Sequence, residues 1–447
     1  MLYKLSMYNY GFELNGEVYI FNTYRLGLAQ VGEEIYKLLQ CNEDQSTKIY
    51  DFSLRSPQEF VDLLEGGFIL EYNMDEGKRM WYHYIKSRFI SKIFSITIIP
   101  TNACNLNCGY CYQNEKSETM TLKVQEQLIN FIKDNLRNKN VLSVTWYGGE
   151  PLLAMPIIYN LSKKFIAYCE KEGIEYHARL VTNGTLLTKE IVTKLVACSI
   201  QQAQITIDGP KETHDNRRPF KGFKKGSSYK KIIEGLGYIK GRIPVSIRVN
   251  IDQINKNSYL ELMADLDANG LLNNDISVGL GYVRPWTEGI SHIQNNCINM
   301  DEFSELELEF LTYRYHKDIR NKMFPDIGGI CRAVGEDDYV IDPLGNLLKC
   351  WIHVNNEDIK DVTVGDIFNG VDYGSWKLLK WLTYDPLNNE KCSNCVFFPI
   401  CLGGCPYIQL QQPGRFNEIC DYWKHHLIKS LSIYIKDLKE TEACLHG

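Results

Sequence analysis

Between residues 93 and 316 the chain repeats one pattern six times: a short apolar run, then a longer stretch with apolar residues every three or four positions. The runs 93–99, 141–147, 176–181, 202–207, 244–251 and 276–282 read as strands. The stretches 122–136, 156–172, 189–198, 229–240, 258–268 and 300–316 read as helices; in the first, Val124, Leu128, Ile132 and Leu136 recur at four-residue spacing. Strands alternating with helices predict a parallel sheet with right-handed crossovers, hence an α/β fold. Six units suit a partial (β/α)6 barrel, with ligands expected at the C-terminal strand ends.

The pattern differs on either side of this core. Residues 1–92 predict a small α+β module, in which 12–14 and 17–21 flank Asn15-Gly16, a type I′ hairpin dipeptide. A helix is expected near 29–39. A second opens at Ser56-Pro57-Gln58-Glu59, a capping box with proline at the first helical position, and stops at Gly66-Gly67. A strand at 68–72 and a linking helix at 75–86 follow. After Asp326 the pattern thins to short strands at 338–341 and 346–349 among cysteine-rich loops, a region that needs staples. The expected division is 1–92, 93–320 and 321–447.

A length of 447 residues suits two or three domains, and 44% hydrophobic content is ordinary for a globular chain. The net charge of −6 gives no reason to expect nucleic acid. The opening Met-Leu-Tyr-Lys-Leu-Ser lacks the apolar core of a signal peptide, and no apolar run is long enough to span a bilayer. A cytoplasmic protein without membrane association is expected. Fifteen cysteines there would stay reduced. Three cluster at 104–111 and seven between 331 and 420, while Cys41, Cys169, Cys198, Cys297 and Cys444 are scattered and read mostly as plain thiols.

Cys104-x3-Cys108-x2-Cys111 follows the first barrel strand. Three thiolates at this spacing can hold three irons of a [4Fe–4S] cluster and leave the fourth iron to a small molecule. Zinc fits less well, because no fourth ligand stands nearby at zinc spacing. Gly148-Gly149-Glu150-Pro151 follows the second strand; its glycines permit close backbone approach, and Glu150 can accept hydrogen bonds from an ammonium group. Thr182-Asn183-Gly184-Thr185 ends the third strand, as ligand contact or capped turn. Asp208-Gly209-Pro210 ends the fourth, followed by His214-Asp215-x2-Arg218; Asp208 could orient substrate, take a proton or shape a turn. Arg248 and Asn250 share one face of the fifth strand. Arg217, Arg218, Lys221, Lys224, Lys225, Lys230 and Lys231 form either a solvated loop or a basic lip for acidic peptide side chains.

With Tyr110 as the aromatic before its last cysteine, the triplet resembles the signature of the radical S-adenosylmethionine (radical SAM) enzymes, and Gly148–Pro151 matches in order. Cys331-x13-Gly345-x4-Cys350, then Cys392-x2-Cys395-x5-Cys401-x3-Cys405-x14-Cys420, resembles the seven-cysteine SPASM domain. A two-zinc reading of those seven stays open on spacing alone. The resemblance spans residues 93–425 and implies a radical SAM partial barrel followed by a SPASM domain. It implies three [4Fe–4S] clusters and SAM as cofactors, with Cys104, Cys108 and Cys111 holding the catalytic cluster. Tyr110, Gly148, Gly149, Glu150, Pro151, Asn183, Arg248 and Asn250 would contribute to SAM binding. The open iron would bind SAM, and one electron would release a 5′-deoxyadenosyl radical that removes hydrogen from substrate.

In the family's crosswise topology, Cys392, Cys395, Cys401 and Cys420 would hold an outer auxiliary cluster. Cys331, Cys350 and Cys405 would hold an inner one. Relatives with a fully ligated inner cluster carry a further cysteine about six positions before the equivalent of Cys331, where this chain has Pro325. An open inner iron is therefore expected unless Cys297 fills it. It could bind a substrate thiolate, or the cluster could only accept an electron. SPASM-bearing relatives mostly modify peptides, which implies a precursor peptide of leader plus core and an electron donor such as flavodoxin or ferredoxin. Residues 1–92 could bind the leader by β-augmentation, or merely support the barrel. The expected function is an intramolecular crosslink in a ribosomally made peptide, with a thioether first and a carbon–carbon bond second. The alternatives are an anaerobic sulfatase-maturating enzyme and a non-catalytic iron–sulfur electron carrier.

Overall fold

The computed structural model describes residues 2–39, 57–113, 117–222, 226–315, 320–354, 358–418, 420 and 423–446. They form two compact units, each assembled from segments distant in sequence. Among the described residues no helix is long and apolar enough to cross a membrane.

The first unit comprises Met1–Phe89, Met300–Cys331 and Tyr384–Gly447. Its N-terminal part contains β1 (Tyr3–Leu5), β2 (Asn9–Leu14), β3 (Glu17–Asn22), β4 (Gly27–Val31), α1 (Glu33–Leu39), α2 (Pro57–Glu65), β5 (Ile69–Glu71) and α3 (Glu76–Phe89). Strands β2 and β3 turn at Asn15 and Gly16, whose φ values of 54° and 79° are those of the type I′ hairpin. Residues 29–31, expected to open a helix, instead pair with β3 and complete a three-stranded antiparallel sheet. Cross-strand packing decides this: Ala29 and Val31 join Ile20, Ile35 and Leu63 in one core. Helix α2 begins at Pro57 as expected, and Ser56 of its capping box lies outside the described residues.

The opposite face of this sheet is also covered. Phe12, Tyr19 and Phe21 share a core with Phe397, Ile400 and with Leu427, Leu431 and Ile435 of the C-terminal helix Trp423–His446. That helix was not anticipated, although its apolar residues fall four apart. The helix Met300–Arg314, expected to close the barrel series, packs on it instead, tied by a His425–Asp301 contact of 2.5 Å.

The second unit comprises Ile90–Asn299 and Arg332–Thr383. It contains β6 (Ile93–Ile98), α4 (Leu122–Asn135), β7 (Val141–Trp146), α5 (Met155–Glu172), β8 (Glu175–Thr182), α6 (Lys189–Ala197), β9 (Ile200–Thr206), α7 (Lys211–Arg217), α8 (Ser228–Ile239), β10 (Val245–Ile251), α9 (Tyr259–Ala268) and β11 (Ile276–Tyr282). Strands β6 to β11 pair in sequence order and in parallel. Helices α4, α6 and α8 start where the side chains of Thr121, Thr188 and Ser227 cap them. A later hairpin extends the sheet: β12 (Asp338–Ile341) lies parallel beside β6, and β13 (Leu347–Leu348) pairs antiparallel with β12. The result is an eight-stranded, mostly parallel, open sheet, the partial barrel expected from the repeat. Along β10, buried Val245, Ile247, Val249 and Ile251 alternate with Ser246, Arg248 and Asn250, so one face is apolar and the other polar.

Candidate functional site

The cysteine loop leaves the C-terminal end of β6 and is held from two sides. On one side Leu106 forms a bridge with Phe220, Asn107 N donates to Pro219 O at 2.8 Å, and Lys221 N donates to Asn105 O at 3.0 Å. On the other, Glu150 N donates to Ala103 O at 2.8 Å and Gly149 N to Thr101 O at 3.3 Å. Cys104 and Cys108 are half-buried and Cys111 is exposed, all as free thiols. Burial pushes the Cys108 thiol up to about 12, the Arg218 guanidinium opposes this, and ionised Cys111 and Cys104 add to it. A metal centre binding here would displace the thiol protons.

Three soft thiols on one loop that repel one another when ionised are a fitting donor set for an iron–sulfur cluster. Among the described residues no three Cys, His, Asp or Glu side chains converge on a single ion. A cluster asks for something different, since each thiolate there binds its own iron.

The glycines after β7 are required by this docking. A Cβ on Gly148, whose φ is 135°, would lie 2.5 Å from Thr101 O, and one on Gly149 would lie 2.4 Å from the carbonyl oxygens of Asn102 and Ala103. Gly149→Ala should therefore spread the cysteine loop at a cost of roughly 1–3 kcal/mol. We expect unchanged far-UV circular dichroism but clearly less iron after anaerobic reconstitution; full iron loading would contradict the close docking.

Glu150 is fully buried, and its carboxylate is occupied by the protein. It accepts from Leu152 N at 3.0 Å, Thr182 Oγ1 at 2.7 Å and Asn183 N at 2.7 Å. It thereby caps the short helical turn Pro151–Ala154, with Pro151 at its first position, and pins the end of β8. Burial raises its pKa, and the three donors oppose that. Asn183 bridges onward: its Nδ2 donates to Asn105 Oδ1 at 2.8 Å and lies 3.9 Å from Cys104 Sγ. Its Oδ1 accepts from Thr185 Oγ1 at 2.7 Å.

Tyr110 is the hub of a second network. Its phenol donates to Asp208 Oδ2 and accepts from Asn250 Nδ2 at 3.1 Å and from Arg218 Nη1. Asp208 Oδ1 accepts from Asn250 N at 3.1 Å, and Arg217 Nε stands 3.6 Å from Oδ2. Arg217 also donates through Nη1 to both Asp252 oxygens, at 2.8 and 2.7 Å. Arg248 Nε donates to Asn250 Oδ1 at 2.8 Å. Behind Asp208, His214 Nδ1 accepts from the Asp208 amide at 3.2 Å, and burial lowers its pKa to about 4, which keeps the ring neutral. Asp208, Arg248 and Asn250 are thus brought together with Tyr110. Both Asp208 oxygens already serve protein donors.

The basic-lip reading needs correction. Arg217 and Arg218 are each 8% exposed and turned inward, Lys224 and Lys225 lie outside the described residues, and Lys230 and Lys231 are exposed on α8. Sequence reasoning also missed an aromatic stack. Tyr112, next to Cys111, shares a hydrogen bond with Tyr147, and Tyr147 stacks on Trp351 at 4.4 Å, beside Cys350. Cys297, Tyr110 and Tyr112 pack against one core of Val283, Ile290 and Ile293.

The other C-terminal cysteines lie in the first unit. Burial pushes Cys392 up to about 12, with ionised Cys401, Cys395 and Cys420 adding to the shift. Cys392 and Cys395 pack against the core formed by Tyr8, Met80, Phe398 and Leu402.

Residues 98–266 match the model of the Radical SAM superfamily, a family that uses a [4Fe–4S] cluster and SAM. An uncharacterised protein of Methanocaldococcus jannaschii is 35% identical over 168 residues, 36% of this chain and 54% of its own, so the chain spans about half of that relative. The radical SAM cyclopropyl synthase TigE of Paramaledivibacter caminithermalis is 24% identical over 438 residues, 86% of this chain and 85% of its own. A cysteine-type anaerobic sulfatase-maturating enzyme of Clostridium novyi is 24% identical over 381 residues, 76% of this chain and 96% of its own. Streptococcus suis SuiB, solved with its precursor peptide SuiA, shares the fold at a TM-score of 0.54 and 16% identity, over 92% of this chain and 97% of its own.

Proposed function

We propose that this enzyme matures a ribosomally made peptide, installing an intramolecular crosslink by hydrogen abstraction. The observation that carries the chemistry is the three-thiol loop docked on the Gly148–Pro151 turn at the C-terminal end of the barrel strands. When bound there by Cys104, Cys108 and Cys111, the cluster with SAM supplies a 5′-deoxyadenosyl radical. The chain's own part is to fix the loop through Glu150, Asn183 and Tyr110.

Similarity along most of the chain to a cyclopropyl synthase and to a sulfatase-maturating enzyme supports a peptide or protein substrate. In the first unit β2 and β4 are the edge strands of the three-stranded sheet, and either edge could pair with a leader peptide by β-augmentation. A thioether is favoured by the three-cysteine inner set Cys331, Cys350 and Cys405, which leaves an iron for a substrate thiolate. The TigE likeness favours a carbon–carbon bond as the second reading. Division into a leader-binding module (1–92), barrel (93–320) and SPASM domain with two auxiliary clusters (321–447) is part of this proposal, as is an electron donor of the flavodoxin or ferredoxin class.

The test is mass spectrometry of the precursor peptide encoded beside the gene, after anaerobic reaction and thiol alkylation. Loss of two hydrogens with one thiol no longer alkylated supports the thioether. Loss of two hydrogens with every thiol free overturns it in favour of a carbon–carbon crosslink. Conversion of a cysteine to formylglycine would favour the sulfatase-maturase reading.

A further inference from the structure

Arg218 has no role in the chemistry described so far, yet it is placed at the cysteine loop by both backbone and side chain. It opens the segment Pro219–Lys221, which pairs with Asn105–Asn107 inside the cysteine triplet. Its guanidinium turns back to donate to the phenol of Tyr110, the residue before Cys111, with its centre 6.0 Å from that ring. It is 8% exposed. Its neighbour Arg217 is answered by Asp252 and Asp208, whereas the ion pairs among the described residues include none for Arg218. A buried, hydrogen-bonded cation is thus held against Tyr110, which lies two residues after one cluster cysteine and one before the next.

We propose that Arg218 is a positioning residue that fixes Tyr110 and, by its charge, raises the reduction potential of the cluster held by Cys104, Cys108 and Cys111. The inference rests on those cysteines being the ligands. Adding an electron to the cluster makes it more negative, and a nearby cation stabilises the reduced form more than the oxidised one. Because the guanidinium is buried, solvent and salt screen this effect little. Asp208, on the other side of Tyr110, acts with the opposite sign.

The experiment is an anaerobic redox titration of the full-length, iron-loaded protein, followed by electron paramagnetic resonance of the cluster signal that changes on SAM addition. Arg218→Gln should lower the ratio of reduced to oxidised cluster about tenfold at fixed ambient potential, about 59 mV for a one-electron couple. Arg218→Lys, which keeps the charge, should stay near the parent, and Asp208→Asn should shift positive. Equal iron loading with coincident midpoints for the parent and Arg218→Gln overturns the proposal. If Arg218→Gln loads no cluster, Asp208→Asn decides: a positive shift supports the field argument, and an unchanged or negative one overturns it. A SAM-responsive signal that survives replacement of Cys104, Cys108 and Cys111 would instead sink the ligand assignment on which the inference stands.

Discussion

Glu150→Ala should destabilise the enzyme before any cofactor is added. The change leaves Leu152 N–H, Asn183 N–H and the Thr182 hydroxyl without their acceptor in a fully buried place. Each orphaned buried donor costs about 1–3 kcal/mol, so for the three a loss of roughly 3–9 kcal/mol is expected. For a unit of this size that lowers Tm by on the order of 10 °C or more. Differential scanning fluorimetry of the iron-free protein measures it. Glu150→Gln keeps the volume but turns an amide N–H toward a donor, so it should fall between the parent and Glu150→Ala. An unchanged Tm, with only weaker SAM binding, would mean that the carboxylate serves the ligand and that the bracing described above is wrong.

Removing residues 1–89 should cost the C-terminal cysteines their support. Phe12, Tyr19 and Phe21 cover Phe397, Ile400, Leu427 and Leu431, and Tyr8 and Met80 cover Phe398, Leu402 and the Cys392–Cys395 turn. Exposing each large side chain of this kind costs roughly 1.5–3 kcal/mol. Several together rival the whole stability of a domain, which is about 5–15 kcal/mol. We expect the truncated chain to aggregate, or to retain the 104–111 cluster while losing at least one four-iron cluster by iron analysis. Phe21→Ala in the full chain is the milder test, with a cost of roughly 3–5 kcal/mol. A truncated protein that is monodisperse and carries the parent's iron would show the N-terminal sheet to be a separable appendage.

Those two sites show what a sequence carries locally and what it does not. The barrel strands were legible because period-two and period-four patterns are written within each element. The Asn15-Gly16 turn was legible because it needs positive φ at adjacent residues. What was lost depends on partners far along the chain. Arg217 and Arg218 look like solvated charges until Asp252, 35 residues away, and Tyr110, 108 residues away, are brought to them. Ala29–Val31 reads as the start of a helix, but β3 was waiting for a third strand. β12 carries no local sign that it adds to the barrel sheet beside β6. The C-terminal helix is different: Trp423, Leu427, Leu431 and Ile435 display its stripe openly, and the cysteine spacing just before it drew attention away.

The central claim is that the Cys104–Cys111 loop carries a SAM-cleaving cluster whose radical acts on a peptide. The most direct test is to quantify 5′-deoxyadenosine and peptide mass in one anaerobic reaction of iron-loaded enzyme, SAM, reductant and precursor peptide. The account predicts 5′-deoxyadenosine formed in step with a two-hydrogen loss from the peptide, and neither product when Cys108 is replaced by alanine. Iron-loaded, reduced protein that forms no 5′-deoxyadenosine would contradict it.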